Sequence, residues 1–216
     1  MGLEPRDTVQ VVDLAAYAAA GWPDLRRGMV AMVEMPEDAP WYRQALQPVA
    51  IGIRRAQARI FDLEDLGTPE ERRWARLHHA QIYAIEGCFA SQNAGGAGYP
   101  NLEHCRGLIL HLWDPPLPWP DSLARAEGVI RTIPRNGAPY GFRDIYALER
   151  YSWDGDLEGL RRRLDHGRDI CSEAAYRVIT DFMGLDIGGG HPCPTPMHLA
   201  IWLIRAGWRH QAIRLR

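Results

Sequence analysis

Cysteine is scarce in this chain, with four residues (Cys88, Cys105, Cys171 and Cys193) among 216. That is too sparse for a disulfide scaffold, so free thiols in a reducing compartment are expected; an exported chain would still have room for one or two bridges. Long apolar runs are missing too. The stretch from Leu14 to Gly21 is only about two helical turns, well short of the roughly 20 residues that cross a bilayer. No basic region followed by an apolar core opens the chain, and Arg6 stands where myristoylation at Gly2 would need Ser or Thr. A cytoplasmic location is therefore the default expectation, with delivery by a phage or a specialised secretion system as the other route. Charge of one sign is missing as well, because 25 basic residues nearly balance 27 acidic ones. Nothing in that balance calls for a nucleic-acid partner or an integral membrane segment. The run Arg161 to Arg163, and the mixture of Arg205, Trp208, Arg209 and Arg214, read as solvated surfaces.

Several chemistries are excluded by motifs that are not there. The glycine-rich stretch from Gln92 to Pro100 (QNAGGAGYP) lacks the Lys-Ser/Thr ending of a phosphate loop and the spacing of a dinucleotide fingerprint. No carboxylate pairing for glycoside hydrolysis is legible. His191, Cys193 and His198 form one possible donor group for zinc, and His104, Cys105 and His111 another. Neither has Cys-x-x-Cys or His-Glu-x-x-His spacing, so no metal and no cofactor is expected.

What is present includes an apolar fraction of 46% and eight tryptophans, enough for a substantial core in a chain of 216 residues. A single domain is expected, with residues 1–25 as a lead-in and 203–216 as the end of the last helix. Thr8 to Ala20 reads as a short helix or irregular segment. Met29 to Met35 reads as a strand, Trp41 to Leu46 as a helical piece, and Val49 to Ile53 as a strand. Thr68-Pro69-Glu70-Glu71 is a helix start, with a Thr cap and a glutamate three residues on. From His79, small and apolar residues alternate with Gln81 and Tyr83, a strand signature. Glu86 and Gly87 mark a turn, and Cys88 begins a partner strand. Arg106 to Trp113 is a further strand, and a helix is expected from Ser122 to Thr132. Turn residues fill Pro134 to Phe142. Helices are expected over Asp144–Tyr151 and Leu157–Leu164, from Cys171 to a Gly184 cap, and from Thr195-Pro196 to Ala206. Strands in the middle with helices at both ends make an α+β fold.

Cys171 opens a helix, where unpartnered backbone N–H groups favour a thiolate and lower the thiol pKa. A histidine within reach would make it a nucleophile, and the N–H of Cys171 itself would serve a developing oxyanion. The segments HHAQIYAIEG (residues 78–87) and ICSEAAYRVI (residues 170–179) resemble the histidine strand and cysteine helix of the permuted members of the NlpC/P60 superfamily. These are papain-like amidases that include the YiiX/YaeF-type and lecithin:retinol acyltransferase-like proteins. Their histidine strand precedes the cysteine helix, which is the order seen here. RRGMVAMVE (residues 26–34), APYGF (residues 138–142) and PTPMHLA (residues 194–200) are similar to flanking segments of that family, although Met29 stands where Asp is usual there.

The resemblance implies a circularly permuted papain-like fold, a small antiparallel sheet packed against helices. It implies a cysteine hydrolase or acyltransferase working through a thioester on an amide or ester of a small-molecule, peptide-like or lipid acyl substrate. Cys171 then matches the nucleophile and His79 the base, with His78 as competitor. The residue orienting the histidine falls at Gln92 or Ser91, Gln92 being the better acceptor for an imidazole N–H. Tyr140 and Ser172 are candidates for oxyanion or substrate binding. A non-catalytic module with the same fold is the alternative reading.

Overall fold

The structure is a computed structural model that describes residues 9–39, 48–85, 87–93, 96–116, 140–164 and 168–216. Its centre is a mixed sheet of seven strands: β1 (Val9–Val12), β2 (Val30–Glu34), β3 (Leu77–Ile85), β4 (Cys88–Asn93), β5 (Gly96–Gly98), β6 (Ile109–Asp114) and β7 (Arg209–Leu215). In space they run β1-β7-β6-β2-β3-β4-β5. Only β1 and β7 pair in parallel; the remaining neighbours are antiparallel. The helices are α1 (Leu14–Ala19), α2 (Pro48–Leu63), α3 (Phe142–Asp154), α4 (Leu157–Arg163), α5 (Cys171–Arg177) and α6 (Pro196–Arg205). This is an α+β fold with helices packed on a mixed sheet.

Strand alternation sorts the core into two layers. Val30, Met32, Ala80, Ile82 and Trp113 pack with residues from α2, α3, α5 and α6. Ala31, Val33, Tyr83, Phe89, Leu110, Leu112 and Ile213 pack on the other face with Leu14 and Tyr17 of α1 and with Leu102 and Cys105.

Four local expectations are corrected. Val49 to Ile53 belongs to α2, because Ala50, Ile53, Ala56, Ile60 and Phe61 are buried at helical spacing. That period, sustained over three turns, outweighs a short alternation of β-branched residues. The chain end forms β7, held between β1 and β6, instead of ending the last helix. Strand β1 likewise precedes α1 in what read as a lead-in. The glycine-rich segment is also strand in part: Ser91, Gln92 and Asn93 pair with Gly98, Ala97 and Gly96. Expectations for Trp41–Leu46, Glu86 and Ser122–Thr132 lie outside the described residues.

The Thr68 start survives as a reciprocal cap on a 3₁₀ turn, Glu71–Arg76. Glu71 Oε2 accepts from the Thr68 N–H at 2.9 Å, and the Glu71 N–H donates to Thr68 Oγ1 at 3.3 Å. That turn delivers the chain into β3. There, buried Gln57 of α2 donates to the carbonyls of Ala75 and Leu77 at 3.0 and 2.6 Å and accepts from the Met197 N–H at 3.0 Å. One amide side chain thus ties together α2, the start of the histidine strand and the first turn of α6.

Candidate functional site

The Tyr83 N–H donates to the Met29 carbonyl at 2.8 Å, and the Gly28 N–H donates to the Tyr83 carbonyl at 2.9 Å. Odd-numbered residues of β3 therefore point their backbone groups at β2, and even-numbered ones point away from it, toward β4. The β3–β4 register runs from Ile82↔Ala90 to Ile85↔Cys88. Beyond that register, the Ala80 N–H bonds the Cys171 sulfur, one residue along from His79. Packing of α5 against β3 and β4 brings the cysteine to this strand edge.

The turn before α3 supplies a second neighbour. The Gly141 N–H donates to the Asp169 carbonyl at 3.1 Å. A Cβ on Gly141 would fall 2.6 Å from Asp144 Oδ2 and 3.3 Å from the Ile170 nitrogen, so a larger residue would crowd this passage. Tyr140 is thereby seated with its hydroxyl 4.0 Å from Cys171 Sγ.

The sulfur itself is almost sealed, with Cys171 1% exposed. Burial pushes its thiol up, against the opposing pull of the Ala80 N–H, the Tyr140 hydroxyl and Ser172. The expectation of a lowered pKa is corrected: desolvation of a fully enclosed sulfur outweighs the first-turn N–H groups of a helix of seven residues. The resting group is a neutral thiol. Ser172 is fully buried, with its hydroxyl beside the Cys171 sulfur.

His79 is half-buried, and its Nε2 lies 2.7 Å from Ser91 Oγ. Both side chains alternate onto the face that carries Tyr83 and Phe89, so Ser91 is the neighbour of the histidine. Gln92 is buried and alternates with Ala90 toward the helices. Among the described residues, no hydrogen bond joins His79 to Cys171. His78 sits at a bulge, where Leu77 opposes Glu34 and His79 opposes Val33. It is buried, and among the described residues its Nδ1 has no hydrogen-bond partner.

Burial lowers the pKa of His79 to about 4. Burial, with His79 and Arg54 nearby, lowers that of His78 to about 3. Both rings are neutral at pH 7, and burial weakens them as proton acceptors. In the unfolded chain they titrate near the ordinary value of about 6.5, so below that pH the unfolded state binds more protons. Their contribution to stability is complete above about pH 6.5 and is lost as pH falls toward 4 and then 3. Denaturant melts at stepped pH should show a loss of a few kcal/mol (order of magnitude) across this window. His79→Gln should flatten its upper part.

Two groups near this region carried no sequence signal. Glu173 accepts from the Ile170 N–H at 2.8 Å, and burial pushes its carboxyl up to about 7, with Asp144 and Cys171 adding to the rise. Cys193 is buried against Glu173. Glu64, immediately after α2, meets His191 and His198. Of the donors weighed in the 191–198 segment, the two histidines converge and the Cys193 thiol turns to Glu173; Glu64, over a hundred positions away, could not be read as their partner.

No protein-family model matches the chain, and no curated protein matches it. Among the described residues, no helix is long and apolar enough to cross a membrane.

Proposed function

We propose that this chain is a cysteine-dependent hydrolase or acyltransferase of circularly permuted papain-like design, with Cys171 as nucleophile and His79 as base. The observation that carries the reading is the seat of the Cys171 sulfur. It lies at a helix start and against the N–H of the residue next to a neutral histidine, whose ring is held by Ser91.

His79 lies on the face of β3 away from α5, with Nε2 engaged by Ser91 Oγ. The ring therefore has to turn round the strand edge for Nδ1 to take the Cys171 proton as sulfur attacks the substrate carbonyl. N–H groups of the first turn of α5 and the Tyr140 hydroxyl are the donors for the oxyanion. Collapse breaks the bond to the amine or alcohol, which leaves with the proton from His79. Water or another acceptor, deprotonated by the same ring, then releases the acyl group from sulfur. The substrate is a peptide-like amide or a lipid or protein acyl group.

Tyr140→Phe should lower turnover of an activated ester about 10-fold with little change in KM, less than a full oxyanion donor because its contact with sulfur is long. A steady-state comparison of the two proteins checks this.

A second reading, a non-catalytic binding module of the same fold, draws support from the sealed sulfur and from the absence of a direct Cys171–His79 bond among the described residues. Turnover of activated esters by wild type and by His79→Ala and His78→Ala separates the two. Loss confined to His79→Ala supports catalysis as drawn. Loss confined to His78→Ala transfers the base role to His78, and no turnover in wild type supports the module.

A further inference from the structure

We propose that Glu64, His191 and His198 form a binding site for a divalent transition-metal ion of the zinc class. The two rings stack with centroids 4.4 Å apart and planes 19° apart. Each presents its Nε2 to one oxygen of Glu64 at 3.2 Å. Nδ1 of His191 lies 2.7 Å from the Cys193 carbonyl, an acceptor only, and 3.2 Å from the Cys193 nitrogen; the shorter contact places the ring proton on Nδ1 and leaves Nε2 with a lone pair. A lone pair and a carboxylate oxygen then face each other at 3.2 Å. The His191 side chain is 5% exposed, and among the described residues its Nε2 makes no hydrogen bond of good geometry. A buried acceptor and a partly buried one at that distance repel unless something positive lies between them.

The dimensions suit a metal. The three ligand atoms lie within 4.8 Å of one another. A tetrahedral zinc ion with bonds of about 2.0–2.1 Å spaces its ligand atoms about 3.3 Å apart. Each nitrogen meets that spacing at its own oxygen of Glu64, Oε1 for His191 and Oε2 for His198, so a small turn of the carboxylate completes the set. Two imidazoles and one carboxylate favour zinc and its neighbours over magnesium or calcium, and three protein ligands leave a fourth position for water.

The surroundings orient the ligands as metal sites require. The Cys193 carbonyl holds the His191 ring, and the Tyr151 hydroxyl donates to Glu64 Oε1 at 2.6 Å. Thr195 Oγ1 lies 2.8 Å from His198 Nδ1. In the metal-free protein that nitrogen accepts from the Thr195 N–H at 3.1 Å, and the ring proton sits on Nε2, toward Glu64. Coordination moves this proton to Nδ1, where Thr195 Oγ1 accepts it. A glycine run brings His191 into place: Gly189 has φ +108°, and a Cβ there would strike the Trp202 ring at 2.8 Å. The ion would tie the end of α2 to the 188–195 segment and α6.

The test uses the full chain, stripped with chelator, dialysed, and titrated with Zn²⁺ against a chromophoric chelator. One ion per chain is expected. Glu64→Gln, His191→Ala and His198→Ala should each weaken binding at least about 10-fold, while Cys193→Ser, which keeps the carbonyl, should leave it unchanged. In wild type, Co²⁺ should give the intense visible bands of four-coordinate geometry, and Zn²⁺ should raise Tm. Substoichiometric Zn²⁺ binding, or binding that survives His191→Ala, would overturn the site. Should the variants fail to fold, wild type still decides it: weak Co²⁺ bands and an unmoved Tm would mean that a proton, with His191 as imidazolium, fills the gap. None of these readouts depends on ester turnover, so this site and the Cys171 chemistry stand or fall separately.

Discussion

Cys171→Ala is expected to lower turnover of an activated ester by on the order of 10⁴-fold or more, with the fold and the melting temperature close to wild type. The bond-forming atom is removed, and the groups that remain can only bind substrate and polarise its carbonyl. His79→Ala should cost a similar factor, because a buried neutral thiol does not ionise without a base. The double variant should be scarcely worse than either single one, since nucleophile and base act as a unit. Ser91→Ala acts through the ring that Ser91 holds, so a loss of only about 10-fold is expected, in kcat more than in KM. A charge at Glu173 would oppose a thiolate at Cys171. With its carboxyl at about 7, turnover should decline as pH rises through that value, and Glu173→Gln should remove the decline.

The largest effect on stability is expected at Gln57. Its amide satisfies the carbonyls of Ala75 and Leu77 and the N–H of Met197, in a residue with no exposed surface. Gln57→Ala leaves all three unpaired, and each buried orphan costs about 1–3 kcal/mol, so a total near 3–5 kcal/mol is expected. Gln57→Glu keeps the acceptor for Met197 while turning a carboxylate oxygen toward two carbonyls, and it should be at least as damaging. Urea denaturation of the three proteins measures this. The 3₁₀ turn and the first residues of β3 should lose amide-exchange protection first, because those carbonyls lie there.

The residues of the candidate site were legible where local pattern and chemistry coincide. Alternation after His79 read correctly as a strand, and the run of small and apolar residues from Cys171 read correctly as a helix. The Thr195-Pro196 cap and the Thr68–Glu71 pair are present as local geometry requires. The failures lie where the deciding partner is remote in sequence. Val49 to Ile53 reads as a strand because the helical period of α2 becomes visible only further along. The chain end reads as a trailing helix end because the strand character of β7 depends on β1 and β6, both far away along the chain. Ser91 against Gln92 turns on which face of β4 meets the histidine, and a shift of one residue reverses that choice. The thiol pKa of Cys171 was read from the helix start alone, whereas burial by Tyr140, β3 and β4 decides it. Glu64 and the two histidines it meets are separated by more than a hundred residues, and no spacing rule connects them.

The chain contains no lysine, all 25 of its basic residues being arginine, so an acyl group from an activated ester has no lysine amine to divert it. Brief reaction with such an ester at neutral pH, acid quenching and peptide mass mapping therefore test the nucleophile directly. One hydroxylamine-labile acyl group on the peptide carrying Cys171, with none on the peptides of Cys88, Cys105 and Cys193 and none after His79→Ala, is the result expected of a Cys171–His79 pair. Acylation spread across the four cysteines, or unchanged by His79→Ala, would contradict it.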